Sequence, residues 1–319
     1  MKALVVSSFN SSPKYSSFLS PISKGDEVVI TVLAAGLHPL VKSIAKGEHY
    51  SAKKQIPFIP GIDGVGRLED GSRVYFGTVG SMYGSMAEKT VAKKGMCMPL
   101  PEEVDSVTAA AVFNPGLSSW LALIYKAQLV ENEIVLINGA TGVAGRIAIQ
   151  IAKFLGAKKV IATGRNKKAL EGLSDCGADI LINLDRSKKN LIDDILQVAN
   201  GIGIDVVIDY LWGVPAEIII AALSQRKVAS SRTRFVQLGD SAGKSIELPA
   251  SALRSSQIEL SGSGIGSTPI EHIIAAVPKF TKFVASKDVK IFTRQISLAE
   301  AEDIWEQTPP DGCRFVVVP

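Results

Sequence analysis

The chain has 319 residues, enough for two domains of ordinary size, and its 46% hydrophobic and 21% charged residues are typical of a globular protein. The net charge of +4 is small and is spread along the sequence, which disfavours a nucleic-acid partner. No membrane span, signal-peptide apolar region or disulfide spacing is recognised, so we expect a cytoplasmic protein.

The first hundred residues predict a β-rich domain. Val28–Leu33 and Arg73–Phe76 are strand candidates, and many glycines and prolines lie between them. Short strands separated in this way favour a compact, barrel-like domain. Residues 106–129 are rich in alanine and predict a helix that is interrupted at Asn114-Pro115-Gly116.

From residue 133 onward, apolar strands alternate with helices. The predicted strands are Glu133–Asn138, Lys159–Thr163, Ile180–Asn183, Asp205–Asp209 and Arg234–Leu238. This alternation predicts an α/β fold with a doubly wound parallel sheet of the Rossmann type. After residue 254 the alternation weakens. We therefore assign residues 113–254 to the Rossmann domain, and residues 1–112 together with 255–319 to the first domain.

A glycine turn follows the first of these strands and begins a helix. Its pattern, AxGxxG, is one residue away from the GxGxxG of dinucleotide-binding domains, and the strand–helix repeat around it strengthens the resemblance. The missing side chain at Gly142 allows close backbone approach of a pyrophosphate, Gly145 allows the helix to pack closely, and the helix N-terminus offers free N–H groups. The residues expected to bind the cofactor here are Thr141, Gly142, Val143, Ala144 and Gly145.

The end of the next strand predicts which dinucleotide binds. NAD-binding domains commonly carry an acidic residue about 20 residues after the glycine turn, for the ribose 2′-hydroxyl. This chain has Gly164 there, followed by Arg165 and, one helical turn later, Lys168. A guanidinium without a competing carboxylate favours the 2′-phosphate of NADP(H). The alternative is that Arg165 and Lys168 are only solvated residues at the start of a helix.

Several landmarks in a fixed order resemble one family along essentially the whole chain. They are Pro60–Gly66, Gly71–Val74, Gly84–Glu88, Asn114–Leu123 and the glycine turn at 139–145. The sequence is similar to medium-chain dehydrogenase/reductases of the zinc-free quinone oxidoreductase-like branch. The resemblance implies a GroES-like β domain around a Rossmann domain, and a homodimer.

The resemblance also marks departures from the zinc-binding members. These carry a cysteine early in the first domain and a Gly-His-Glu motif, whereas this chain has Gly36-Leu37-His38 and Gly61-Ile62-Asp63. The four-cysteine zinc loop is absent, so no metal is expected. The implied reaction is hydride transfer from NADPH to a small electrophilic acceptor, a quinone or an α,β-unsaturated carbonyl.

Site residues follow from the same resemblance. Tyr210 and Leu211, and then Gly239 and Ser241, are expected near the cofactor, with Gly262-Ser263 as another wall of the site. Tyr50 and Asn114 are the catalytic candidates; His49 is the neighbour of Tyr50, and His38 is more consistent with a structural role. Two alternatives stay open: an enoyl-thioester reductase of the same superfamily, and an NADPH-binding sensor or structural protein without catalysis.

Overall fold

The structure is a computed structural model that describes residues 1–52, 55–78, 80–226, 232–264, 266–286, 289–310 and 312–319. The chain divides into two compact units. The first comprises Met1–Asn114 and Phe292–Pro319 with a short segment beginning at Val284. The second comprises Pro115–Phe283 with a short segment ending at Ile291.

Strands and helices are numbered in chain order. The strands are β1 Lys2–Val5, β2 Lys14–Ser17, β3 Glu27–Gly36, β4 Asp63–Arg67, β5 Arg73–Gly77, β6 Lys89–Lys93, β7 Cys97–Pro99, β8 Ile134–Asn138, β9 Lys159–Gly164, β10 Ile180–Asn183, β11 Val206–Asp209, β12 Thr233–Gln237, β13 Ile258–Gly262, β14 Phe292–Ser297 and β15 Cys313–Val318. The α-helices are α1 Pro39–Ala45, α2 Ser106–Leu121, α3 Val143–Phe154, α4 Lys167–Glu171, α5 Lys188–Gly201, α6 Gly213–Ser224, α7 Ala250–Arg254, α8 Ile270–Ser286 and α9 Leu298–Asp303.

The first unit is built on a seven-stranded sheet with the order β14-β15-β3-β4-β5-β7, in which β6 also pairs with β3. Its pairs are antiparallel except β14 with β15. A core that includes Phe58, Phe76, Met86 and Trp305 packs against it. Because β15 pairs with β3, the C-terminal tail joins the N-terminal sheet, as the sequence predicts.

The second unit contains a six-stranded, all-parallel sheet with the order β10-β9-β8-β11-β12-β13. This is the predicted doubly wound arrangement, and the predicted fold class is confirmed. The chain leaves β8 toward β9 on one side and later returns to place β11 on the other side. The sheet therefore has its switch point between β8 and β11, where ligands of such sheets bind at the carboxyl ends of the strands.

Two sequence-based predictions differ from the structure. The boundary at residue 254 places β13 in the first domain, but β13 pairs in parallel with β12 and completes the Rossmann sheet. The predicted helix break at Asn114-Pro115-Gly116 is also wrong, because α2 runs through all three residues. Gly116 has a packing role instead, since a Cβ there would lie 2.2 Å from the Phe280 ring.

Among the residues that the structure describes, one apolar helix has the length and composition of a membrane span. It covers α2 and the single π-helical turn that follows, residues 106–126, and 78% of its most apolar window is buried inside the protein. A core helix satisfies the same two criteria, because length and hydropathy do not distinguish lipid from a protein interior.

Candidate cofactor-binding site

The glycine turn joins β8 to α3 at the switch point of the sheet. Gly139 has a φ of 84°, a left-handed conformation that favours glycine. Gly142 is the N-cap of α3, and the first intrahelical bond runs from the Arg146 N–H to the Gly142 carbonyl. The earlier N–H groups of the helix therefore have no partner within it.

The space in front of this turn is open on one side and filled on the other. A Cβ added at Gly142 would have nothing within 4 Å, so a phosphate can approach the backbone there. A Cβ at Gly145 would lie 2.5 Å from the Ala140 Cα, so glycine is needed for the helix to pack on the turn. The contact at Gly145 supports the packing role predicted for it, and phosphate binding at Gly142 stays a prediction.

The end of β9 lies directly beside the turn. The Ala140 N–H donates to the Thr163 carbonyl at 2.8 Å, and the Gly139 N–H donates to Thr163 Oγ1 at 3.1 Å. Arg165 and Lys168 are exposed, and the side chain of neither forms an ion pair or a hydrogen bond with any other residue that the structure describes. Two cationic side chains next to a helix N-terminus make this edge attractive to phosphate.

A buried polar network that sequence reasoning missed connects the ends of three strands. The Thr163 hydroxyl donates to Asn138 Oδ1 at 2.7 Å, and Asn138 Nδ2 donates to Asp209 Oδ1 at 2.7 Å. Asp209 is 0% exposed and also accepts the N–H groups of Leu211 and Trp212, each at 3.1 Å. The signal for this network is a polar residue that ends each of three apolar strands.

The network fixes the loop after β11 in an unusual conformation. Trp212 has a φ of 55°, which is rare for a residue that is not glycine. The carboxylate of Asp209 stabilises this conformation through the Trp212 N–H. Leu211 from the same loop covers the turn, since a Cβ at Gly139 would lie 2.8 Å from its Cδ2. Leu211 therefore lies at the glycine turn, and its expected contact with the cofactor stays a prediction.

The Tyr210 side chain is held by a hydrogen bond to α2. Its hydroxyl lies 2.6 Å from Ser119 Oγ, and the Ser119 hydroxyl donates to the Pro115 carbonyl at 2.7 Å. With the Ser119 proton donated to Pro115, Tyr210 is the donor in its own bond to Ser119. Burial also raises the pKa of Tyr210 well above its usual range. The side chain anchors the loop to α2.

The loop after β12 is tied to the loop after β11. Ser241 Oγ donates to the Tyr210 carbonyl at 3.0 Å, and a Cβ at Gly239 would lie 2.7 Å from the same oxygen. A pocket of about 400 Å³ opens beside these loops at the ends of β12 and β13. Its lining consists of Trp212, Gln237, Asp240, Lys244, Leu260, Ser261 and Gly262.

The two catalytic candidates lie in different surroundings. Tyr50 is 73% exposed in a turn, and its ring centroid lies 4.1 Å from that of His49. Asn114 is half-buried within α2, which continues past it. Lys53 and Lys54, which follow the Tyr50 turn, lie outside the described residues.

His38 is buried in the first unit beside a carboxylate. It is 2% exposed, and its Nε2 lies 3.3 Å from Asp63 Oδ1. Burial lowers the pKa of His38, and the positive charge of Arg314 adds to this effect, while Asp63 opposes it. Tyr75 donates to the other Asp63 oxygen at 2.8 Å. The structural role that the sequence favours for His38 is consistent with this burial.

Comparisons with known proteins agree with this geometry. A family model described as "Zinc-binding dehydrogenase" matches residues 144–285. A protein of Emericella nidulans named as a probable NADPH-dependent quinone reductase is 25% identical, with 92% of each chain covered. The quinone oxidoreductase of Sus scrofa is 34% identical over 61% of this chain, and the match spans 60% of that protein's length.

A solved structure extends the likeness over the whole fold. A mycobacterial protein in complex with NADPH has a TM-score of 0.85, with 19% identity and 100% of both chains covered. The strand order and the glycine turn are those of the dinucleotide-binding class of folds. Together these likenesses support the medium-chain dehydrogenase/reductase superfamily, and its quinone oxidoreductase-like branch, as the family of this chain.

Proposed function

We propose that the protein is an NADPH-dependent oxidoreductase that transfers a hydride to a quinone or an α,β-unsaturated carbonyl. The observation that carries the proposal is the glycine turn, open at Gly142, beside a strand end with the cations Arg165 and Lys168 and no acidic residue. The names of the relatives support it, because the Emericella nidulans protein is named for NADPH and a quinone.

The residues at the switch point fit NADP(H). The open backbone at Gly142 and the free N–H groups of α3 would hold the pyrophosphate, and Arg165 with Lys168 would hold the 2′-phosphate. Bound NADPH would supply the hydride. Leu211, Gly239 and Ser241 belong to loops fixed to one another, so they would present a rigid wall to the cofactor. Electron-poor acceptors need little further polarisation, so positioning is the main task left to the protein.

Acceptor specificity is tested by following NADPH oxidation with purified protein. Quinones, enones, enals and enoyl thioesters are compared at equal concentration, with NADH as the second donor. We expect turnover with quinones or enones and a preference for NADPH. Dominant turnover of enoyl thioesters would replace this proposal with the related reductase, and NADPH binding without turnover of any acceptor would indicate a sensor.

We also propose that the protein is a homodimer in the cytoplasm. Light scattering tests the oligomeric state, and cell fractionation tests the location.

Tyr50 is proposed to donate a hydrogen bond or a proton to the acceptor. The Tyr50→Phe variant is expected to reduce enone turnover by about a hundredfold, the lower end of the usual contribution of a general acid, with unchanged NADPH affinity. Steady-state rates and cofactor titrations measure the two effects. Tyr15→Phe is the control, because Tyr15 is another exposed tyrosine of the same unit. Unchanged turnover of every accepted substrate would contradict the role of Tyr50.

Zinc does not fit the residues that correspond to the zinc landmarks. Within the described ranges no three His, Cys, Asp or Glu side chains come together, whereas catalytic zinc needs three protein ligands. His38 and Asp63 lie close to each other, but the guanidinium of Arg314 is near enough to affect the pKa of His38. A fixed cation at this place disfavours a second one. Residues 144–285, which match the zinc-named family model, contain only Cys176 and His272 as Cys or His.

Activity is therefore expected to be independent of zinc. After exhaustive dialysis against a strong chelator, the NADPH oxidation rate should stay within about 10% of the initial rate, the scatter of the assay, since no step needs a Lewis acid. Metal analysis of the same sample should find far less than one zinc per chain. Stoichiometric zinc, together with activity that is lost on its removal and restored by its return, would contradict the expectation.

A further inference from the structure

The need for glycine at position 164 comes from packing and not from backbone conformation. Its φ does not lie in the left-handed region, so the backbone would accept any residue. A Cβ added to Gly164, however, would lie 2.4 Å from Thr141 Cγ2, closer than real Cβ contacts. Its other neighbours, Leu170 Cδ1 at 3.4 Å and Thr141 Cβ at 3.6 Å, are at ordinary contact distance. The methyl group of Thr141 alone occupies the space.

Thr141 cannot easily move away. Its carbonyl accepts a bond from Arg146 Nε at 3.3 Å, and Arg146 is buried. The preceding residue, Ala140, is bonded to the Thr163 carbonyl, and Thr163 directly precedes Gly164. The glycine turn and the end of β9 are thus held at a fixed separation. A β-branched side chain between them also has few rotamers available.

Position 164 is where NAD-binding sheets carry the acidic residue that bonds the ribose 2′-hydroxyl. We propose that Thr141 enforces cofactor specificity indirectly, by excluding an acidic side chain at position 164. Its methyl group fills the space that an acidic side chain at position 164 would need, and so leaves the 2′-position to Arg165 and Lys168. This inference rests on the proposed function, because it assumes that the turn binds NADP(H).

The steric part is tested on the protein without cofactor. Gly164→Ala is expected to lower Tm by about 3–10 °C, the usual range for an overpacked site. Thr141→Ser removes only the methyl group and should reduce this loss to about 2 °C or less. Thr141→Val keeps the methyl group, is the matched control, and should leave the loss in place. Equal Tm values for Gly164→Ala and the native protein, or equal relief by Ser and Val, would overturn the inference.

The specificity part compares dissociation constants for NADPH and NADH. Thr141→Ser alone should keep the native preference, whereas Thr141→Ser with Gly164→Asp should shift the ratio at least about tenfold toward NADH. No shift in a folded double variant would overturn the role of Thr141. If the Tm pattern holds but the native protein binds no NADPH, the proposed function is wrong and this role is wrong with it. If NADPH binds but the Tm pattern is absent, only the present inference is wrong.

Discussion

Replacing Arg165 with alanine is expected to weaken NADPH binding by about tenfold to a hundredfold and to leave NADH binding nearly unchanged. The 2′-phosphate adds nearly two negative charges beside the ribose, and a guanidinium can donate two charge-assisted hydrogen bonds to it. Bonds to charged groups contribute about 1.5–3 kcal/mol. Arg165 has no competing partner among the described residues, so its charge is available to the ligand.

Three comparisons separate this contact from general electrostatics. Lys168→Ala should weaken NADPH binding less than Arg165→Ala, because a flexible ammonium is less preorganised than a guanidinium. Lys167→Ala removes the same charge from an exposed neighbour that has no assigned contact, and should have little effect. The weakening of NADPH binding in Arg165→Ala and in Lys168→Ala should be smaller at high salt, since the site is exposed. Dissociation constants from cofactor titration decide the matter, and equal weakening of NADPH and NADH in Arg165→Ala would show that the assignment is wrong.

The Rossmann part of the fold could be predicted because its central strands are buried on both faces. Every residue of β8 and β11 is buried, so both appear in the sequence as continuous apolar runs. β13 is different because it lies at the edge of the sheet, and four of its five residues are exposed or half-buried. The sequence of an edge strand with this pattern does not indicate that the strand belongs to a parallel sheet. This is the physical reason why the boundary was placed at residue 254.

The helix break was predicted from local propensity, which does not include the tertiary contacts of the helix. Proline removes a helical hydrogen bond and glycine lowers helix propensity, so Pro115-Gly116 reads as an interruption. In the structure, the close approach of Phe280 to Gly116 and the burial of α2 outweigh this local preference. Such contacts join residues more than 160 positions apart and leave no local signal in one sequence.

The polar network was missed because its members look like ordinary strand ends. Asn138, Thr163 and Asp209 lie far apart in sequence, and only the strand order places β8 between β9 and β11. Once that order is known, three polar residues at the same edge are expected to meet. The network then explains how a glycine turn, a strand end and the Trp212 loop are held together beneath the proposed cofactor site.

Burial shapes the chemistry of the central carboxylate of this network. Burial raises the pKa of Asp209 above its usual 3.8, although the Asn138 amide and the N–H groups of Leu211 and Trp212 oppose the shift. The folded protein therefore holds this proton more tightly than the unfolded chain does. By linkage, the contribution of Asp209 to stability is greatest below pH 3.8 and declines as the pH rises through the raised value.

Removal of this carboxylate is expected to cause a large loss of stability. Asp209→Ala leaves the Asn138 amide and two backbone N–H groups without their acceptor in a fully buried place. Each unsatisfied group costs about 1–3 kcal/mol, so we expect a total on the order of 3–5 kcal/mol and a fall in Tm of about 10 °C. Asp209→Asn keeps the shape and one acceptor oxygen, and should lose about half as much by the same reasoning. Thermal and urea unfolding without cofactor measure both losses, with Asp193→Ala as a control for an exposed aspartate.

The pH dependence of the same variants tests the charge itself. Asn at position 209 does not ionise, so the stability advantage of the native protein over Asp209→Asn should shrink as the pH rises from 3.8 to the raised pKa of Asp209, because the unfolded carboxyl loses its proton in this range while the buried one still holds it. NADPH should also bind more weakly to Asp209→Asn, because the Leu211 and Trp212 N–H groups lose part of the acceptor that fixes their loop. A pH-independent difference between the two proteins would show that Asp209 acts through shape and not through its charge. A Tm for Asp209→Ala within about 2 °C of the native value would show that the network is not a stabilising element at all.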